Sequence, residues 1–287
     1  LSNEPFLKDA LKDVASIRLR ASWGKSGNND IGNYASLAGI SSGSYAFGQT
    51  PVSTTYEGSF TDAALGWETT RQTNVGIDLG FFNGRLNVIG NWYNSISTDI
   101  LYKYPISSIS GATSTTTNMS GAKIRNRGFD VQLDARLLTG KVNWNFSTNI
   151  SVNRNKVVSM GGLDDIISTT ERSVGSHITK EGKPIGSFYG YQAVGIMSKA
   201  DYANALLDRD VYIKNGNKFP EGYQLKGPAV ASYALDNLSY GNAIWKDANG
   251  DGVITTDDKT IIGDAYPDFT GGFSTSLSWN GLDFSAS

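Results

Sequence analysis

Oxygen-bearing side chains recur at alternate positions between residues 247 and 258, a spacing suited to a hard divalent cation. The order Asp, Asn, Asp at the first, third and fifth positions is that of an EF-hand calcium loop. Gly252 at the sixth position permits the sharp turn that such a loop needs. Because hard oxygen ligands favour calcium over zinc, the spacing predicts a Ca²⁺ site. The predicted ligands are Asp247, Asn249, Asp251, Val253 through its carbonyl, Thr255 and Asp258.

The predicted calcium loop departs from the EF-hand pattern at its last position. Asp258 stands where EF-hands carry Glu, which weakens the case for bidentate ligation. Because no long amphipathic helices flank it, the loop resembles a dockerin-type or isolated calcium loop. An acidic turn without metal is the alternative. Bound metal would stiffen a long outer loop, where a weak site with a Kd of ~10⁻⁴–10⁻³ M is sufficient.

The remaining side chains offer little for catalysis. The 287 residues include no Cys and one His, His177, in a polar segment typical of a solvated loop. Asp164 and Asp165 are adjacent and point apart on an extended chain, and neither has a partner carboxylate for glycoside hydrolysis. Ser187 lacks the flanking glycines of a nucleophile elbow. We therefore predict that the chain is not an enzyme, and a net charge of −2 argues against nucleic-acid binding.

The elements that must position the loop are predicted to be β-strands. Between residues 142 and 152, apolar residues alternate with Asn and Ser, which indicates a strand with one apolar face. Asn83-Gly84 and Asn280-Gly281 predict two-residue hairpin turns, because these residue types tolerate positive φ. A third two-residue turn is predicted at Thr139-Gly140. The predicted partners are Phe81 with Leu86, Leu79 with Val88, Ile77 with Gly90, Val75 with Trp92, Trp279 with Leu282, Leu277 with Phe284, Leu137 with Val142, Ala135 with Trp144, Leu133 with Phe146, and Phe129 with Ile150.

Strand length, loop length and aromatic placement favour a membrane barrel over a soluble β-sandwich. Eleven residues at ~3.3 Å each span ~36 Å, or ~27 Å when tilted by ~40°, close to the ~25 Å apolar band of an outer-membrane barrel. Short turns alternate with long segments at about 25–66, 95–121 and 155–268. Aromatic residues, which favour membrane interfaces, lie near both strand ends. They are Trp23, Trp67, Trp92 and Tyr93 toward the long segments, and Phe81, Phe82, Trp144 and Trp279 toward the short turns.

Five segments, occurring in the family's order and spanning nearly the whole chain, resemble the SusC/RagA-type TonB-dependent outer-membrane transporters. Singly each segment is a moderate signal, and together they are specific. The segments are IRLRASWGKSGN (17–28), LGWETTRQTNVGIDLGFFNGRL (65–86), NRNKV (153–157), GKPIGSFYGY (182–191) and KDANGDGVI (246–254).

This resemblance implies an all-β fold, an antiparallel transmembrane β-barrel of ~22 strands. Residues 1–287 would form part of that one barrel domain and supply about seven of its strands. Residues 1–14 would be a periplasmic connection, and 155–268 a long extracellular region that carries the calcium loop. The plug domain and the TonB-contacting segment are absent from this sequence, so we expect an internal fragment of a longer protein.

The resemblance further implies import of large nutrients across the outer membrane, with oligosaccharides expected ahead of peptides. The implied partners are a SusD-like surface lipoprotein, TonB through the missing N-terminal region, and outer-membrane lipid. The implied location is the outer membrane, which the chain would cross several times. The alternative is a secreted calcium-binding β-rich adhesin or carbohydrate-binding module, in which the same hairpins would belong to a soluble sandwich.

Overall fold

The computed structural model shows two compact units. The first contains the described residues up to Asp165 together with Lys180–Ile185 and Tyr266–Ser287, and the second contains Ile166–Thr179 and Gly186–Ala265. The connection predicted at residues 1–14 lies outside the described part of the chain. The structure describes residues 15–30, 37, 39–62, 64–110, 114–169, 176–231 and 238–287.

Strands dominate both units, as the alternating sequence predicts. Within the described ranges, one α-helix, α1 (Lys199–Lys214), and 3-10 turns at Ser108–Ser110 and Thr256–Asp258 accompany them. In the same part of the chain, no helix has both the length and the apolar composition of a membrane span. The strands in chain order are β1 (Ala15–Asn28), β2 (Gly39–Phe47), β3 (Thr50–Thr61), β4 (Glu68–Phe81), β5 (Leu86–Pro105), β6 (Ser114–Leu138), β7 (Val142–Met160), β8 (Ile166–Thr169), β9 (Ser176–Thr179), β10 (Ser187–Gly190), β11 (Ala193–Ile196), β12 (Val230–Ala231), β13 (Ala243–Trp245), β14 (Val253–Ile254), β15 (Thr260–Gly263), β16 (Thr270–Trp279) and β17 (Leu282–Ala286).

The first unit is built on one antiparallel sheet of long strands. Its order is β1-β4-β5-β6-β7-β16-β17, so seven strands follow one another with antiparallel neighbours throughout. The β2–β3 hairpin joins the sheet only where Phe60 and Thr61 pair in parallel with the start of β6. The predicted all-β class and the count of about seven barrel strands are confirmed, and the sheet stays open, as expected of part of a barrel.

Two of the three predicted hairpins have the predicted register. Phe81 pairs with Leu86 and Val75 with Trp92 across the first turn, and Trp279 pairs with Leu282 across the last. The first connection is longer than the predicted two-residue turn, because Phe81 and Leu86 are the last pair and Phe82, Asn83 and Gly84 between them have φ of 54°, 55° and 78°. The second Asn-Gly pair forms a two-residue turn with φ of 47° and 82°. Positive φ at both central residues matches the twist of the flanking strands, which explains why Asn-Gly sets the pairing at these two positions.

The predicted register at Thr139-Gly140 is wrong by two residues. Ala135 pairs with Phe146 instead of Trp144, and Leu138 closes the ladder against Trp144. A bulge between Arg136 and Leu138 and a wider connection, in which the Gly140 N–H donates to the Asn143 amide oxygen, replace the two-residue turn. A shift of two residues leaves every side chain on its predicted face, because the side-chain period of a strand is two. Leu133 and Phe129 are displaced in the same way and pair with Thr148 and Val152, whereas Leu137 lies in the bulge and has no partner in the ladder.

The strands also run further than predicted. β5 and β6 continue through most of the segment 95–121, and β2 and β3 form a hairpin inside the segment 25–66. These segments are rich in Thr and Ser, which are compatible with strands but are not apolar. The strands therefore continue beyond the apolar stretch without an alternation of apolar and polar residues. For this reason, the sequence of these segments contains no period-two hydrophobic pattern that would predict the longer strands.

The apolar face of the main sheet is exposed instead of being covered by a second layer. Side chains directly opposite in the ladder share a face, so Leu19, Ile77, Val131 and Ile150 form one row across neighbouring strands. Ile77 and Ile150 are 38% and 40% exposed. Exposed large apolar residues on this face include Trp23, Val75, Trp92, Phe129, Trp144, Phe273, Trp279, Leu282 and Phe284.

Residues 180–185 cover the edge of β7 along the part of this strand that does not pair with β16. The Val157 N–H donates to the Lys183 carbonyl, and the Gly182 N–H donates to the Val157 carbonyl. The amide oxygen of buried Asn155 accepts from the Ile185 N–H. Unpaired strand edges are templates for unwanted pairing, so this short segment both satisfies and protects the upper part of β7.

The second unit is assembled from short strands around α1. β15-β10-β9-β8 form one sheet, β11 pairs with β13, and β12 pairs in parallel with β14. The helix begins at Ser198, whose side chain and that of Asp201 form a capping box. Asp208 on the helix is fully buried and accepts hydrogen bonds from the Tyr223 hydroxyl and the N–H groups of Lys226 and Gly227. One carboxylate thereby fixes the segment after the helix to the helix itself.

Gly128 in β6 allows two neighbouring strands to approach closely. A Cβ at this position would lie 2.1 Å from the Val152 carbonyl oxygen and 2.6 Å from the Tyr93 hydroxyl. We expect Gly128→Ala to lower the free energy of unfolding by about 1–3 kcal/mol, the usual cost of overpacking. Denaturant unfolding of the full-length protein in detergent measures this change. Gly24→Ala is the control, because a Cβ there meets no atom within 4 Å; equal losses in both variants would contradict the packing account.

Candidate functional site

The loop predicted to bind calcium is held together by hydrogen bonds to its own backbone. The Asp247 carboxylate accepts from the N–H groups of Gly250 and Gly252, at 2.6 and 2.7 Å. The Asn249 side-chain oxygen accepts from the Asp251 N–H, and Asp251 in turn accepts from the Val253 N–H. Each oxygen-bearing side chain at positions one, three and five therefore folds back on the loop.

Asp258, at the predicted twelfth ligand position, is 1% exposed and faces backbone donors. Its two carboxylate oxygens accept from the N–H groups of Ala248, at 2.8 Å, and Thr255, at 2.7 Å. Burial raises the pKa of Asp258, but the hydrogen bonds from Thr255, Ala248 and Asn249 together bring it below the ordinary value of 3.8. Asp258 thus ties the beginning of the loop to its end.

The loop has a hydrophobic anchor on one side. Val253 and Ile254 are buried, and β14, which they form, pairs with β12. The Phe219 ring lies against Gly252, where a Cβ would approach it to 3.1 Å. Phe219 also stacks on Tyr223 with ring centroids 5.1 Å apart. The loop is therefore packed on its Gly252–Ile254 side and open at Asn249 and Asp251, which are exposed.

The structure brings the six predicted metal residues into one loop but does not arrange their carboxylates as a metal cluster. The described residues include no group of three or more His, Cys, Asp or Glu side chains placed to hold an ion. Position twelve is already satisfied by backbone N–H groups, and positions one, three and five retain spare lone pairs. Calcium binding stays a prediction.

Aromatic residues near the loop are engaged by protein side chains. The Tyr191 ring lies 5.9 Å from that of Trp245, and the Lys259 ammonium lies 5.5 Å from the centre of the Tyr191 ring. Phe188 packs edge-on against His177. These contacts favour a packing role for this aromatic cluster. His177 likewise packs against an aromatic ring, a contact that offers it no catalytic partner.

The polar face of the main sheet carries a network of charged and amide side chains. The Arg20 guanidinium binds the Asp78 carboxylate at 2.6 Å and the Asn91 amide oxygen at 2.9 Å. Arg20 reaches Asn91 across Gly76, the residue that lies between them in the ladder. A Cβ on Gly76 would come within 2.9 Å of both side-chain ends, so one or both would have to shift.

The network continues along the middle strands. Ser151 donates to Asp130, and Ser147 and Gln132 both donate to Asp134. Near the short turns, a cavity of ≈ 640 Å³ is lined by Asn87, Asp134, Asn145, Ser147 and Ser276 among others. Hydrogen bonds between side chains therefore connect neighbouring strands on this face. Tyr93, predicted to belong to an interfacial girdle, instead lies on this polar side and donates to Asn153.

Asn118 is a structural residue that sequence reasoning missed. Its side-chain oxygen accepts from the Gly66 N–H, and its amide nitrogen donates to the carbonyls of Gly66 and Asp99. It thereby fastens the end of the β3–β4 connection to the β5–β6 hairpin. No local signal marks this residue, because its partners lie 52 and 19 positions away along the chain.

Comparisons with known proteins agree with this architecture. A family model described as TonB dependent receptor-like, beta-barrel matches residues 10–286. The chain is 31% identical over 290 residues to TonB-dependent receptor P3 of Formosa agariphila, covering 99% of this chain and 26% of that protein. It is 26% identical over 301 residues to TonB-dependent receptor SusC of Bacteroides thetaiotaomicron, again covering 26% of that protein. The chain thus spans about a quarter of the length of the curated relatives it matches.

Solved structures of the RagAB system have the same fold. The RagAB peptide transporter superposes with a TM-score of 0.71 at 24% identity, over 98% of this chain and 26% of that one. The RagAB peptide importer in its open-open state superposes with a TM-score of 0.66 at 25% identity, over 96% of this chain and 26% of that one.

The depressed pKa of Asp258 predicts an acid-labile loop. Because this carboxylate is stabilised in the folded loop, its contribution is full above about pH 3.8 and is lost as the pH falls through the lower folded-state value. We expect Asp258→Asn to increase loop proteolysis at neutral pH and to reduce the acid dependence of cleavage. Limited proteolysis of the full-length protein between pH 7 and pH 3 measures both. Asp257→Asn, an exposed neighbour, should behave as wild type; an equal effect there would contradict the assignment.

Proposed function

Because the chain belongs to the TonB-dependent receptor-like β-barrel family, we propose that it supplies seven strands to a transporter that imports large nutrients across the outer membrane. β-Barrels of this family are outer-membrane proteins, and its members are transporters and not enzymes. The observation that carries the proposal is the two-sided sheet, apolar and exposed on one face and hydrogen-bonded and polar on the other. The secreted adhesin or carbohydrate-binding module is not supported, because the family match covers nearly the whole chain.

In the proposed mechanism the sheet is a scaffold that separates lipid from a hydrated lumen. The apolar rows face lipid tails, and the Arg20–Asp78–Asn91 network faces the interior and its plug. TonB, acting through a segment N-terminal to this chain, energises plug movement, and a SusD-like lipoprotein covers the outer mouth. Likeness to SusC and to the RagAB structures supports this partnership. No bond chemistry is required of the residues in this chain.

The substrate class we propose is oligosaccharide, held by aromatic side chains of the outer hairpin. In the β2–β3 hairpin, Tyr45, Phe47 and Tyr56 project from one face and are 61%, 66% and 49% exposed. The Tyr45 and Phe47 rings lie 5.1 Å apart, edge to face, on a surface open to a ligand. Flat aromatic surfaces with an adjacent polar rim suit sugar rings. Peptide is the competing class, because RagAB is described as a peptide importer.

A paired substitution tests the substrate class. Tyr45→Ala with Phe47→Ala is expected to weaken binding of neutral oligosaccharides about tenfold, the scale of losing an aromatic anchor. Titration calorimetry on the full-length transporter, with matched panels of oligosaccharides and peptides, measures this. Ile40→Ala is the control, because Ile40 is exposed on the opposite face of the same hairpin. Loss of peptide binding alone would assign the peptide class instead.

We also propose, from the loop spacing, that residues 247–258 bind calcium weakly and stiffen the outer region. The proposal rests on the spare oxygen lone pairs of Asp247, Asn249 and Asp251. Calcium is then expected to slow proteolysis of the loop relative to a chelator, and Asp251→Asn is expected to abolish that difference. Asp258→Asn should raise cleavage with and without calcium. A wild-type loop that is cleaved at the same rate in millimolar calcium and in chelator would refute the site.

A further inference from the structure

Basic side chains adjoin the apolar rows of the main sheet and lie on the same face. The last apolar row runs through Val75, Trp92, Phe129 and Val152, which pair directly across four strands. Two residues further along β6 and β7, the same face carries Arg127 and Arg154, whereas β4 and β5 carry Thr73 and Asn94 in that row. The following row of the ladder holds Lys25, Arg71, Arg125 and Lys156. We define the basic band as Lys25, Arg71, Lys123, Arg125, Arg127, Arg154 and Lys156.

The ladder places the basic band on the apolar side of the sheet. Arg127 pairs with Arg154, and Arg125 pairs with Lys156, so each pair shares a face. Arg71 pairs with Lys25 and with Ile96, which itself pairs with Arg125. Because side chains two residues apart point the same way, Arg127 and Arg154 continue the face of Phe129 and Val152. The band is therefore the direct continuation of the lipid-facing surface.

The opposite face of the same strands is uncharged at this level. Gln72, Ser95, Asn126 and Asn155 lie opposite one another in a row that faces the polar side. At this level of the strands, basic residues are thus concentrated on one face of the sheet, and neutral polar residues occupy the other face. A general need for solubility would place charged residues on both faces.

The basic band is only partly neutralised by protein. Arg154 pairs with Asp268 at 2.7 Å. No acidic residue occupies the ladder rows that hold Arg127 with Arg154, or Arg125 with Lys156. Lys25, Arg71, Lys123, Arg127 and Lys156 are exposed, and the Nε atom of Arg125 is buried without a hydrogen-bond partner. Among the described residues, the band therefore keeps several free donors and a strong positive charge.

We infer that the basic band binds the phosphorylated headgroups of lipids in the outer leaflet. One row of the ladder lies ~7 Å from the next along a strand, which sets Arg127 and Arg154 at the boundary of the apolar rows. Long basic side chains at this depth extend toward the headgroups, and guanidinium groups bind phosphate with two parallel hydrogen bonds. This inference rests on the proposed function, since the orientation of the sheet in the membrane sets the leaflet.

Removal of exposed band residues tests the inference on the full-length transporter in detergent. The variant Arg71→Gln with Arg127→Gln and Lys156→Gln loses three cations that make no hydrogen bond essential to the sheet. Thermal unfolding is titrated with a bisphosphorylated glucosamine-based lipid of the outer-leaflet type, with its dephosphorylated form, and with inorganic phosphate. The control variant is Lys141→Gln with Lys218→Gln and Lys246→Gln, which removes the same charge at exposed residues that do not belong to the basic band.

The phosphorylated lipid is expected to stabilise wild type and the control variant equally. In the band variant, its apparent Kd should rise about tenfold or more, because each cation near an anionic surface adds to binding. Equal stabilisation by the dephosphorylated lipid, or by inorganic phosphate, would overturn the inference in favour of acyl-chain binding or a free-anion site. The folded barrel is checked by its gel mobility, which changes on heating. Unchanged lipid affinity in a band variant that still shows this heat-modifiable mobility would overturn the inference and leave the proposed transporter function standing. Loss of that mobility in wild type would instead count against the proposed function.

Discussion

The unbroken antiparallel ladder is the constraint on which the other features of this chain depend. In lipid there is no water to satisfy an unpaired backbone N–H or carbonyl, so a spanning segment must pair all of them within protein. Here seven strands pair in one sheet from β1 to β17, and the outer edges of these two strands remain for further strands of the barrel. Once pairing is complete, alternate side chains must point to opposite sides. The apolar rows, the polar network and the basic band are three consequences of that one geometry.

Strands of unequal length create edges that this fold closes with specific devices. β7 extends nine residues beyond Ser151, where β16 begins to pair, and the segment 180–185 takes the vacant edge through Val157 and Asn155. The segment overlaps GKPIGSFYGY (182–191), one of the five segments that carry the family resemblance, and its contacts with the edge of β7 supply a physical reason for its presence. Asn118 performs a related task for the β5–β6 hairpin, because one amide group binds both backbone groups of Gly66.

Sequence reasoning succeeded where local chemistry determines geometry. The Asn-Gly turns set the pairing of Phe81 with Leu86 and of Trp279 with Leu282, because few other dipeptides accept two positive φ angles. It failed at Thr139-Gly140, where the bulge before Leu138 is decided by contacts with the flanking strands. Tyr93 was misassigned because aromatic composition alone does not distinguish an interfacial ring from one that crosses Gly128 to reach Asn153.

The predicted calcium loop shows that residues with the spacing of metal ligands can have a structural role in the fold. Spacing selected the six predicted ligands of this loop, yet it could not reveal that Asp258 is buried and bound to three backbone donors. That role depends on the fold of the loop end, which brings Thr255 and Ala248 to the same carboxylate. Asp208 on α1 is a second buried carboxylate of this kind, and no pattern in the sequence distinguishes it from an exposed helical Asp.

The claim that the apolar face meets lipid is tested most directly by accessibility along β7. The chain contains no Cys, so single cysteines from Trp144 to Val152 can each carry a spin label in the full-length protein. With labels in reconstituted membranes, we expect collisions with lipid-dissolved oxygen to dominate at positions 144, 146, 150 and 152. Collisions with a water-soluble relaxation agent should dominate at 145, 147, 149 and 151. Equal accessibility at neighbouring positions, or alternation of the opposite phase, would contradict the account.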